Sequence, residues 1–125
     1  VCMMADRSVA DAAAAQGFTR ARAAVDAALG VLEGGIYVVG NAPTALLRLI
    51  ELVGDGRAAP ALIVGLPVGF VNAAESKEAL ESNSVPFITN RGRKGGSNVA
   101  AAIVNALILL AKEAEKCVND KGNQR

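Results

Sequence analysis

Histidine is absent from this 125-residue sequence. That removes every imidazole acid or base, every Ser-His-Asp arrangement and every histidine-bearing zinc site within these residues. Tryptophan is absent as well, and one tyrosine and three phenylalanines make the aromatic fraction 3%. Platforms for single-stranded nucleic acid need stacking side chains, so that class is disfavoured. Cysteine is scarce: Cys2 and Cys117 stand near opposite ends. Two are too few for a zinc site or a disulfide framework, and they read as free thiols in a reducing compartment. Long apolar runs are also missing. Val99–Ala111 comes nearest, but Asn105 interrupts it and Lys112 ends it. With no basic segment leading into an apolar stretch at the start, the expectation is a cytoplasmic chain with no membrane partner. Finally, no charge sign dominates. The net charge of +1 supplies no global field for polyanions, which argues against nucleic acid as a partner.

What is present is apolar and small. Hydrophobic residues make up 52% of the chain, and much of that is alanine. The length allows a single domain, 1–125. Position 1 is valine, with Met3 and Met4 following. The chain therefore reads as part of something longer, an incomplete domain.

The first third is helical in pattern. Val9–Gln16 is alanine-rich, and Gly17 suits a left-handed stop. Thr19 reads as the N-cap of a helix over Arg20–Leu32, whose Ala24, Val25, Ala28, Leu29 and Leu32 form one stripe. From there a strand–loop–helix unit occurs three times. Ile36–Val39 leads through Gly40-Asn41-Ala42-Pro43 into a helix over Thr44–Val53, with Pro43 at the first turn. Ala61–Val64 leads through Gly65–Gly69 into a helix over Asn72–Glu81. Phe87–Thr89 leads through Asn90–Gly96 into a long helix, Ser97–Cys117, for which Ser97 is a suitable cap.

Short apolar strands alternating with helices predict an α/β fold with a parallel sheet covered on both faces. In such sheets the strand-to-helix loops share the edge where ligands bind. Gly40–Thr44, Gly65–Phe70 and Asn90–Ser97 should therefore converge.

Each loop has its own chemistry. The first opens into a helix N-terminus, where free N–H groups favour an anion, with Asn41 and Thr44 at hand; equally, Asn41 could simply cap that helix. The second is apolar and glycine-bearing, which suits a flat hydrophobic ligand. Glu75-Ser76-Lys77 behind it reads as a solvated helix face. The third, Asn90-Arg91-Gly92-Arg93-Lys94-Gly95-Gly96-Ser97, carries three positive charges and no negative ones. Arginine there can hold carboxylate or phosphate bidentately. Arg20 stands at a helix start, against the dipole, which suits a ligand-binding arginine or, equally, one that snorkels to water as Arg22 close by could. No Walker loop, strand-following Gly-x-Gly-x-x-Gly or Gly-x-Ser-x-Gly occurs.

Read together, Gly40-Asn41-Ala42-Pro43-Thr44-Ala45-Leu46, Pro67-Val68-Gly69-Phe70-Val71 with Ala74-Glu75-Ser76-Lys77, and Arg91-Gly92-Arg93-Lys94-Gly95-Gly96-Ser97 resemble the precorrin-8X methylmutase family of cobalamin biosynthesis. Gly17-Phe18-Thr19-Arg20 and Asn105-Ala106-Leu107 extend the likeness over nearly the whole chain. The resemblance implies a flavodoxin-like three-layer fold whose N-terminal strands lie outside this chain, and a homodimer with the active site near the subunit interface. It implies an isomerase that moves a methyl group from C-11 to C-12 of a corrinoid ring, giving hydrogenobyrinate or its cobalt counterpart, with no cofactor and no metal site. The family's proton-handling histidine has no counterpart here, so no catalytic residue is assigned and the chain alone should be inactive. The implied substrate-binding residues are Arg20, Gly40, Asn41, Thr44, Gly69, Ser76, Arg91 and Arg93. A non-catalytic corrinoid- or phosphate-binding flavodoxin-like module is the alternative.

Overall fold

The helical segments begin and end on identifiable devices. In the computed structural model, which describes residues 1–122, the Asp6 side chain accepts from the Ser8 N–H and caps α1 (Arg7–Gln16), and Gly17 closes that helix in the left-handed region at φ 67°. Thr19 Oγ1 accepts from the Arg22 N–H and caps α2 (Arg20–Ala27). This helix is shorter than its apolar stripe suggests. The stripe continues through one 3-10 turn, Leu29–Val31, which keeps Leu32 in the core at 5% exposure.

The three repeated units form as expected. Strand β1 (Ile36–Val39) leads to α3 (Pro43–Gly54), β2 (Leu62–Gly65) to α4 (Ala73–Glu81), and β3 (Phe87–Thr89) to α5 (Ser97–Gly122). The strands pair in parallel in the order β1-β2-β3, with Ile36 opposite Leu62 and Ile63 opposite Phe87. Proline at the start of α3 has no N–H to lose there. Ala42 precedes it without any side-chain cap, so Asn41 does not cap this helix. Ser97 is likewise the first residue of α5 rather than its cap, with Gly96 before it at φ 126°.

Alternation along the strands sends side chains to two faces. Tyr37, Val39, Ile63 and Phe87 join the main core with Val25, Leu46, Leu49, Leu52 and Leu80 from α2, α3 and α4. On the other face Val64 packs with Leu66 and Ala100, flanked by Leu62, Ile103 and Leu107. One layer is therefore α2–α4, the middle is the sheet, and the third is α5 alone. That second face is incompletely covered, leaving Ile36 55% and Val38 42% exposed. Of the 26 residues of α5 only Ala100 is buried. By length and composition α5 could cross a bilayer, which the shorter run Val99–Ala111 did not suggest. Its first half lies on the sheet instead.

Candidate functional site

Parallel pairing of adjacent strands brings all three strand-to-helix loops to one edge. Main-chain hydrogen bonds then tie them together. The Leu66 N–H donates to the Val39 carbonyl at 2.8 Å, and Val68 N–H to the Asn41 carbonyl at 3.2 Å. Gly69 N–H donates to the Arg93 carbonyl at 3.3 Å, and Gly96 N–H to the Leu66 carbonyl at 2.9 Å. The second loop is thus stitched to the first on one side and to the third on the other. Thr89 Oγ1 adds a 2.6 Å bond to the Gly65 carbonyl at the strand ends.

Two glycines permit the closest approaches. A Cβ on Gly40 would stand 2.6 Å from Ser97 Cα, so β1 ends directly against the start of α5. A Cβ on Gly95 would run into the carbonyls of Leu66 and Pro67.

Six of the eight expected residues share this rim. Gly40, Asn41 and Thr44 line the junction of β1 and α3, and the Asn41 side chain is exposed beside an uncapped helix start. Thr44 Oγ1 accepts from Thr19 Oγ1 at 3.0 Å, which carries Arg20, the next residue, to the same edge. Gly69 and Arg93 belong to the stitched second and third loops. The Arg93 guanidinium lies 5.8 Å from the centre of the Phe70 ring, and Phe70 is 85% exposed. An arginine on an exposed ring at the rim offers a cation beside a flat apolar surface.

Two residues are placed differently. Ser76 is fully buried and its Oγ donates to the Ala73 carbonyl at 3.0 Å, one turn back in its own helix. Arg91 turns to the flank of α4, where its Nε meets Glu81 Oε1 at 3.2 Å. Of the segment Glu75-Ser76-Lys77, expected as a solvated face, only Glu75 is exposed. Ala73, Ser76, Lys77 and Leu80 are the buried stripe of α4. That spacing was readable in the sequence, but serine and lysine masked it.

A cleft of about 480 Å³ opens beside the rim, between residues 1–4, α2 and the free edge of β1, and takes in Gly40, Asn41 and Ser97. Its walls are mainly apolar, including Met3, Ala24 and Ala45. Tyr37 also lines it, and burial, assisted by nearby Cys2, pushes the phenol up to about 12. Both thiols are free and exposed. Among the described residues no cluster of His, Cys, Asp or Glu could hold a metal ion.

Comparison with known proteins bears on this geometry. The family model for precorrin-8X methylmutase matches residues 1–110. The cobalt-precorrin-8 methylmutase of Priestia megaterium is 53% identical over 108 residues, which are 86% of this chain and 48% of that protein. The precorrin-8X methylmutase of Pseudomonas aeruginosa is 50% identical over 109 residues, 86% of this chain and 52% of that protein. The crystal structure of precorrin-8X methyl mutase from Thermus thermophilus superposes with a TM-score of 0.80 at 49% identity, covering 90% of this chain and 54% of that one. The chain thus spans about half the length of the relatives it matches.

Proposed function

Since the chain belongs to the precorrin-8X methylmutase family, we propose that the whole protein is the isomerase that moves a methyl group from C-11 to C-12 of a corrinoid ring. The observation carrying this reading is the stitched rim. It sets the uncapped start of α3, Arg93 and an exposed aromatic ring at one edge, in a chain about half identical to methylmutases. A flat macrocycle edged with acetate and propionate arms needs both kinds of contact.

The division of labour follows from the residue types. Arg93 and Arg20 bind carboxylate arms, and the start of α3 with Asn41 and Thr44 receives another. Phe70 and the glycine-bearing second loop carry the ring face. In the reaction the bond from C-11 to the methyl group breaks as the bond to C-12 forms. The atoms balance without any co-reactant. A group titrating near neutrality must add and remove a ring proton. Lysine and arginine are poorly matched to that task, and no histidine occurs in this sequence. The proton-handling group therefore belongs to the remainder of the protein. On this reading residues 1–125 are one part of a single methylmutase domain, the assembly is a homodimer, and the enzyme works in the cytoplasm.

The test is to follow conversion of precorrin-8X to hydrogenobyrinate by absorbance, with the complete protein and with the 125-residue chain. Turnover is expected from the first, and binding without turnover from the second. Turnover by the chain alone, or none by the complete protein, overturns the reading.

A further inference from the structure

Lys77 is 1% exposed on the inner stripe of α4. A buried ammonium ordinarily has a carboxylate beside it, because an unpaired charge out of water is costly. Among the described residues Lys77 forms no ion pair. Its Nζ donates instead to two main-chain carbonyls of the basic loop, Gly92 at 2.9 Å and Lys94 at 2.5 Å. Burial holds the ammonium below its ordinary pKa, and the two carbonyl dipoles are what it has in place of an anion.

The effect on the loop is specific. Three successive carbonyls are engaged by donors from the body of the protein. That of Gly92 meets Lys77, and that of Arg93 meets the Gly69 N–H at 3.3 Å. The carbonyl of Lys94 meets Lys77 and also Asn90 Nδ2 at 2.8 Å. A turn with three of its four carbonyls held from within presents its side chains to solvent. Arg93 accordingly reaches the exposed Phe70 ring. An ammonium suits the task because it has several donors and no acceptor. An apolar side chain there would leave both carbonyls without that partner.

We infer that Lys77 is a positioning residue for substrate binding, anchoring the Arg91–Lys94 turn from beneath so that Arg93 is held ready for a carboxylate arm. This rests on the reading of that turn as a carboxylate site. The role differs from that of Arg93, because Lys77 lies buried beneath the turn whereas Arg93 is exposed at the rim.

A double-mutant cycle in the complete protein separates the possibilities, with hydrogenobyrinic acid as the titrated probe. Lys77→Met and Arg93→Ala are each expected to weaken binding about tenfold, and the double variant no more than about twentyfold, since a displaced arginine has little left to lose. KM should rise in Lys77→Met with kcat within about twofold, and Lys77→Arg, which keeps charge and donors, should recover most of the affinity. Losses that multiply to about a hundredfold, or an unchanged affinity in Lys77→Met beside a weakened Arg93→Ala, overturn the inference. An unchanged affinity in Arg93→Ala instead brings down the carboxylate reading, and this role of Lys77 with it. Should Lys77→Met not fold, Lys77→Gln replaces it in the cycle with the same expected and overturning outcomes.

Discussion

Thr19 Oγ1 donates to Thr44 Oγ1 at 3.0 Å, bridging the first turns of α2 and α3 while the same oxygen caps α2. One hydroxyl therefore serves stability and site geometry together. Thr19→Ala should cost about 1 kcal/mol from the lost cap and also weaken corrinoid binding through Arg20. Thr44→Val should spare the cap, leaving stability within about 0.5 kcal/mol of the parent while still weakening binding. Urea midpoints and ligand titration on the two variants check the division.

The glycines at the strand ends should differ in their tolerance of alanine. In Gly40→Ala the new methyl meets Ser97 Cα, which is backbone and cannot rotate away. In Gly65→Ala it meets methyl ends of Leu80 and Leu46. The expected cost is about 2–3 kcal/mol at Gly40 and about 1 kcal/mol at Gly65, read from chemical denaturation. Equal costs would show that α5 yields at its first residue.

Arg91 and Arg93 should not be equivalent. Arg91 is engaged with Glu81 on the α4 flank, whereas Arg93 stands at the rim over Phe70. Arg93→Ala is expected to weaken binding of a carboxylated corrinoid by about tenfold and to flatten its salt dependence, the usual scale for a charged hydrogen bond. Arg91→Ala should change affinity less than about threefold, the small value of an exposed pair. Titrations at two ionic strengths decide.

Tyr37 is the sole tyrosine and tryptophan is absent, so its ionisation can be followed directly by ultraviolet absorbance. The phenol should titrate at about 12 rather than 10.0, because burial disfavours the phenolate. The folded form thus holds its proton to higher pH than the unfolded form. The resulting stabilisation is complete below pH 10.0 and disappears as pH climbs through about 12. Tyr37→Phe should flatten the alkaline side of the stability profile.

On the acid side Asp6, bonded to Ser8, and Glu51 both have lowered carboxyls, and Glu51 is the one held by ion pairs. Hydrogen bonds from Arg48 first, and then Arg22, hold its carboxyl below the ordinary range. Its contribution is present above the unfolded carboxylate pKa and fades as pH falls through the lower folded value. Melting temperatures should therefore drop more steeply below about pH 4.5 in the parent than in Glu51→Gln.

The order of elements was legible because hydrophobic period and glycine placement agreed at each junction. β1 and β3 fall where their β-branched and aromatic runs lie, and Gly17 stops α1. The convergence of the three loops followed from parallel topology alone. Legibility failed where one residue type serves two ends. Ser76 and Lys77 are polar, yet they complete the inner stripe of α4 because the serine hydroxyl finds its own helix and the lysine finds the basic loop. Arg91 and Arg93 are alike on paper. Only the turn between them sends one to Glu81 and the other to Phe70. The shortening of α2 left no mark in its apolar stripe, since a 3-10 turn continues that face.

The seams between Val39 and Leu66, Asn41 and Val68, Gly69 and Arg93, and Leu66 and Gly96 are all made by peptide groups. Peptide groups are common to every residue except proline at the donor position. The platform is therefore a chassis whose fittings are interchangeable: the outward-facing side chains at 41, 68 and 93 can be swapped without redrawing the frame that carries them. At these three positions side-chain chemistry and scaffold integrity are separately adjustable, which makes them the natural ones to diversify when a different binding preference is sought at this edge.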